Sequence, residues 1–250
     1  MRRNLQPALA DLLAYLGEMG YGDVYLNSPL NSPASRPAAP AAMRPPAEVR
    51  RPVVATAAPL SGEAAARAAD LAALGEVAAG CTRCRLAEGR TKVVFGAGNP
   101  AAELMFVGEG PGADEDRQGL PFVGAAGELL TRIIQAIEMT REEVYIANVV
   151  KCRPPGNRDP QPDEIAACRG YLEKQIGLVR PRVLVALGKV AAQALLGNDS
   201  PIGRIRGQWF QVQGIQTMVT YHPAALLRNP ALKRPTWEDL QQVRDFLRGG

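Results

Sequence analysis

Four short runs rich in apolar and β-branched residues, 103–108 (ELMFVG), 144–150 (VYIANVV), 183–188 (VLVALG) and 216–221 (QTMVTY), alternate with stretches of helical periodicity. Those stretches cover residues 127–139, 162–178, 189–196 and 236–247. Apolar strands that do not alternate with polar residues must be covered on both faces, and helices between successive strands supply the cover. The expected fold is therefore α/β: a three-layer α/β/α sandwich around a central four-stranded, mainly parallel sheet. In such a sheet ligands bind beyond the carboxyl ends of the strands, near a switch in strand order. That rule selects Gly108 to Gly112 after the first run, Asn148 near the end of the second, Gly188 and Lys189 after the third, and Tyr221 to Pro223 after the fourth.

The sheet pattern begins only after residue 64. Residues 4–19 place Leu5, Leu12, Leu13 and Leu16 at helical spacing, which predicts one short amphipathic helix within an extension over 1–28. Residues 29–63 hold a disproportionate share of the 21 prolines and few large apolar side chains. Such a segment cannot offset its ordering entropy and reads as a linker. One folded domain over 64–250 is expected. No run approaches the roughly 20 apolar residues that cross a bilayer, and Asp11 and Glu18 interrupt any signal-peptide core. The cytoplasm is the expected compartment, with no membrane partner, and the net charge of +4 permits nucleic-acid binding without requiring it.

In a reducing compartment the four cysteines read as metal ligands in preference to two disulfides. Cys81 and Cys84 form a C-x-x-C, Cys152 follows the second strand and Cys168 lies on the helix after it. Four thiolates suit a zinc ion or a [4Fe–4S] cluster, and spacing alone does not separate the two. No open position or general base accompanies them, so the role is structural.

GEGPG over 108–112 lacks both the G-x-G-x-x-G and the GK[ST] spacings of phosphate loops, but its glycines allow close backbone approach to a flat ligand. Asn148 interrupts an apolar strand. Its carboxamide needs a partner, and its donor and acceptor match the O4 and N3–H edge of uracil, whereas cytosine presents the reverse. Phe122, in a glycine-flanked segment of a chain with 5% aromatic residues, is a stacking surface for a base. His222 is the chain's single histidine and sits in a loop at the ligand edge, where a neutral imidazole can donate to an oxygen acquiring negative charge.

Taken together, C-x-x-C at 81–84, GEGPGADEDRQGLPFVG at 108–124, NVVKCRPPGNRDPQPDE at 148–164, Cys168 and YHPAALLRNP at 221–230 resemble the family-4 uracil-DNA glycosylases from about residue 68 onward. The resemblance implies a DNA-repair hydrolase that flips deoxyuridine out of single- or double-stranded DNA and hydrolyses its N-glycosidic bond. It implies a [4Fe–4S] cluster on Cys81, Cys84, Cys152 and Cys168. It also implies a uracil pocket formed by the Glu109 and Gly110 backbone, Phe122, Asn148 and the catalytic His222. Gly110 and Gly112 stand where the wider superfamily places a water-positioning Asp and a thymine-excluding Tyr, so Glu115 is assigned to orient water or to exclude the thymine methyl. Ala224 replaces a commoner serine. Leu226 or Leu227 is expected to wedge into the base stack, with Arg228 on a phosphate. No histidine occurs between Asn148 and Glu164, which disfavours covalent attachment to DNA through a histidine there. A monomer is expected, with the N-terminal extension left for a protein partner. A non-catalytic iron–sulfur protein that binds DNA or senses redox state is the alternative, and a zinc-bound small-molecule enzyme is a third.

Overall fold

The computed structural model describes residues 62–249. The short helix expected over 4–19 and nearly all of the proline-rich stretch lie outside the described residues. Residues 62 and 63, assigned to the linker, are the first two of a helix.

Six strands form one sheet: β1 (Ala97–Gly98), β2 (Leu104–Gly108), β3 (Tyr145–Asn148), β4 (Val183–Leu187), β5 (Trp209–Val212) and β6 (Ile215–Thr220). They run in the order β1-β3-β2-β4-β6-β5. β3, β2, β4 and β6 are the four expected strands and are mutually parallel. The two edge strands are antiparallel additions. β5 joins β6 through Gln213 and Gly214, both at positive φ (52° and 79°), the backbone of a two-residue hairpin turn. Gln at the first position of that turn is not a typical hairpin signal, and β1 is only two residues long, so neither edge strand stood out in the sequence.

Alternation along each central strand divides the core into two layers. Met105, Val107, Tyr145, Ala147, Leu184, Ala186 and Val219 face one side. There they meet α1 (Gly62–Ala79), α5 (Pro162–Val179) and α6 (Lys189–Leu196) through Leu71, Leu172, Ile176, Ala191 and Ala192. Leu104, Phe106, Ile146, Val183, Val185, Leu187 and Met218 face the other, against α4 (Ala125–Ala136) and α9 (Lys233–Arg248) through Leu130, Ile134, Leu240 and Val243. The result is the three-layer α/β/α sandwich. Short helices α2 (Leu86–Gly89), α3 (Ala113–Gln118), α7 (Ile202–Ile205) and α8 (Pro223–Arg228) complete the described residues. None of these helices is long and apolar enough to cross a membrane.

β2 has β3 on one side and β4 on the other, so the chain reverses its direction of sheet growth there. The carboxyl ends of β2, β3, β4 and β6 consequently open at one edge.

Candidate active site and four-cysteine centre

A cavity of about 630 Å³ occupies that edge. Glu109, Gly110 and Glu115 line it after β2, Phe122 and Gly124 just beyond, Asn148 at the end of β3, Gly188 and Lys189 after β4, and Tyr221, His222 and Arg228 after β6. The loop after β3 adds Asn157, Arg158 and Asp159.

Gly108 makes the floor possible. A Cβ there would lie 2.4 Å from Asn148 Oδ1 and 2.5 Å from the Phe122 ring, so only glycine lets both side chains approach the end of β2. Phe122 itself sits at φ 54°, a left-handed conformation that a bulky residue rarely adopts. Its ring is 7% exposed and lies 5.5 Å from the His222 ring, tilted by 32°. Gly127 accommodates the strained backbone, since a Cβ there would fall 1.9 Å from the Phe122 carbonyl oxygen.

Asn148 is 1% exposed. Among the described residues its Oδ1 is the one buried side-chain polar atom without a hydrogen-bond partner. An acceptor left so costs about 1–3 kcal/mol, which a ligand donor recovers.

His222 caps the start of α8. Its Nδ1 accepts from the Ala224 backbone N–H at 3.1 Å. Burial first, and then the Arg228 charge, push its pKa down to about 4, with Glu115 opposing. The ring is therefore neutral near pH 7, and with Nδ1 accepting, its proton resides on Nε2.

Glu115 holds two loops together. Its Oε1 accepts from Val123 N (2.9 Å) and Gly124 N (3.0 Å), and its Oε2 accepts from Gly112 N (3.1 Å) in a capping box at the start of α3. A carboxylate committed to three backbone donors is a brace for the cavity wall, a duty its place in the sequence does not reveal. The Glu109 side chain, expected to matter only through its backbone, instead faces the cavity between Asp159 and Arg228. Burial and Asp159 raise its pKa to about 7, against Arg228.

Leu226 is a correction. It is 2% exposed, on the inward face of α8, so it has no surface to offer a base stack. Leu227 is 45% exposed beside it, and Arg228 is exposed at the rim. Arg158 also reaches the cavity while donating both terminal nitrogens to the fully buried carboxylate of Glu164, which fixes the loop after β3 to α5.

On the α1/α5 side of the sheet, Cys81, Cys84, Cys152 and Cys168 line a second, small cavity of about 20 Å³. Arg90 Nη1 donates to the Cys81 carbonyl (2.6 Å) and to Cys152 Sγ (3.3 Å), and the Lys151 N–H donates to Cys168 Sγ (3.3 Å). Among the described residues no three His, Cys, Asp or Glu side chains form a group that grips a metal ion as they stand. An all-thiolate set of four cysteines, with N–H donors aimed at two of the sulfurs, is a donor set that an iron–sulfur cluster takes, since hydrogen bonds to the sulfurs are among the features that stabilise such a cluster.

The family description "Uracil DNA glycosylase superfamily" matches residues 95–241. The chain is 46% identical over 175 residues to a type-4 uracil-DNA glycosylase of Sulfurisphaera tokodaii, covering 66% of this chain and 80% of that protein. Similarity to the type-4 enzymes of Archaeoglobus fulgidus (44% over 174 residues; 66% and 87% covered) and Saccharolobus solfataricus (45% over 176 residues; 67% and 82% covered) is comparable.

Proposed function

Because the chain belongs to the uracil-DNA glycosylase superfamily, on its type-4 branch, we propose that the cavity at the carboxyl edge of the sheet holds the flipped uracil. The enzyme is a DNA-repair hydrolase that excises uracil from DNA. The observation that carries the site assignment is the orphaned Asn148 Oδ1 in the same cavity as a histidine whose tautomer is set.

In this reading the extrahelical uracil stacks on Phe122. Asn148 Oδ1 accepts N3–H and its amide donates to O4, a pairing that cytosine reverses. The N–H at His222 Nε2 points toward O2. As the glycosidic bond lengthens, negative charge accumulates on the base and positive charge on the deoxyribose. The His222 donor is strengthened by that change more than in the ground state, which is the condition for catalysis. A neutral imidazole suits this duty because it donates without needing a proton from solvent. Water then captures C1′ and leaves an abasic site. Glu115 braces the loops that shape the pocket, and Glu109, whose carboxyl titrates near neutrality, takes the water-orienting part. Leu227 fills the gap left in the duplex and Arg228 holds a phosphate.

The four cysteines would hold a [4Fe–4S] cluster. When bound it cross-links the end of α1, the loop after β3 and α5, and its binding energy contributes to folding. No step of the hydrolysis passes through it.

The test is cleavage of uracil-, cytosine- and thymine-containing oligonucleotides followed by alkali. Strand scission at uracil alone is expected. Tight binding to all three without scission would favour a non-catalytic DNA-binding protein.

A further inference from the structure

Lys151 lies between the two sites and belongs to neither as described so far. It is 2% exposed, among the largest fully buried side chains of the protein. Its Nζ donates to the backbone carbonyl of Asn148 at 2.7 Å and to Gln175 Oε1. Gln175 in turn donates to the Phe95 carbonyl (2.8 Å) and the Tyr145 hydroxyl (3.2 Å). The Lys151 ammonium also sits 5.9 Å from the centre of the Phe95 ring. On its other side Lys151 lines the cysteine cavity, and its own backbone N–H reaches Cys168 Sγ.

Burying an ammonium costs several kcal/mol unless an opposite charge faces it. Among the described residues no carboxylate pairs with Lys151, and the cavity it lines on its other side is walled by the four cysteines. The natural counter-charge is thus the thiolate set. Packing alone gives no reason for a lysine here, because an apolar side chain of similar length fills the same volume without the desolvation cost.

We infer that Lys151 is a positioning residue for uracil excision: its buried ammonium ties the strand end carrying Asn148 to the cysteine site and supplies the positive charge that faces the thiolates. The electrostatic half rests on the cysteines holding an iron–sulfur cluster. The mechanical half rests only on the bond to the Asn148 carbonyl, which sets where the Asn148 side chain meets the base.

Two variants in the full-length, iron-loaded enzyme test it. Lys151→Met removes the charge and the bond to Asn148. Gln175→Glu keeps the lysine but gives it a carboxylate partner, which neutralises it in place. Three quantities are read: iron content with visible absorbance, the midpoint potential of the cluster, and single-turnover cleavage of uracil-DNA beside affinity for abasic-site DNA. Both variants are expected to retain iron and to become harder to reduce, because each removes net positive charge beside the thiolates. Lys151→Met is expected to cleave uracil about tenfold more slowly, with affinity for abasic DNA unchanged. A parental potential in both variants overturns the charge assignment, and a parental cleavage rate in Lys151→Met overturns the positioning. Should Lys151→Met fail to fold, the potential of Gln175→Glu still decides the first, and Lys151→Arg, which keeps the charge but displaces the donor from the Asn148 carbonyl, decides the second: slowed cleavage supports the positioning and a parental rate overturns it. Wild-type protein purified anaerobically without iron would instead overturn the cluster reading, a result distinguishable from either.

Discussion

At the scale of single residues, the site combines groups whose protonation is set by their surroundings. His222 is held neutral by burial and by Arg228, and Glu109 is held partly protonated by burial and by Asp159. The two act oppositely on stability. Between about pH 4.5 and 7 the folded chain keeps a proton on Glu109 that the unfolded chain releases, so stability falls as pH rises across that window. Between about pH 4 and 6.5 the unfolded chain protonates His222 while the folded chain does not, so stability falls as pH drops. Over most of this range the contributions offset each other, which makes rate, not stability, the informative readout. Single-turnover cleavage should rise through about pH 7 as Glu109 ionises and stay flat above. Because His222 stays neutral to about pH 4, no separate step belongs to it near the ordinary histidine pKa of 6.5, which the Glu109→Gln profile shows by staying flat there. Glu109→Gln should lower the plateau and abolish the rise. A Glu109→Gln profile that keeps the parental shape would remove Glu109 from the water-orienting role. Sequence alone singled out Asn148, Phe122 and His222 because each is an unusual residue type for its position, and the structure brings all three to one cavity. It did not show that Glu115 is occupied by three backbone donors, that the Glu109 side chain faces the cavity, or that Leu226 points inward while Leu227 points outward. Those are matters of side-chain direction, which depends on the helical turn each residue occupies.

At the scale of elements, the four parallel strands were legible because both faces of each are apolar, a pattern that only a sheet covered by helices explains. The edge strands and the short helices α2, α3, α7 and α8 were not, since two to six residues are too few to establish a period. The element most dependent on the cysteines is the region where α1 ends and α5 crosses it. Its cysteine cavity is walled by residues of three segments, Ala78 and Arg90 near α1, Lys151 and Cys152 after β3, and Cys168 and Tyr171 on α5. Cys168→Ala should therefore lose iron and visible absorbance together, and the melting temperature should fall by several degrees. A variant that loses all iron yet melts at the parental temperature would show that the cluster does not support the fold.

At the scale of the whole molecule, the residues that line the cavity come from four separate strand ends, and the parallel topology alone brings them to one edge. Asn148 lies in β3 and His222 just beyond β6, 74 residues apart by their numbering, yet both line one cavity together with Phe122. This convergence was readable in advance, because every parallel strand ends on the same side. The link from that cavity to the cysteine site through Lys151 was not readable, because a lysine after an apolar strand ordinarily points to solvent. The central claim, that this cavity excises uracil with a neutral His222 as the donor to the departing base, is tested most directly by single-turnover cleavage of a uracil-containing oligonucleotide by the full-length enzyme and by His222→Ala. Loss of a single such donor should slow cleavage by roughly 10²–10³, while affinity for the oligonucleotide changes little. Cleavage by His222→Ala at the parental rate would contradict it, since the chain has no second histidine to take its place.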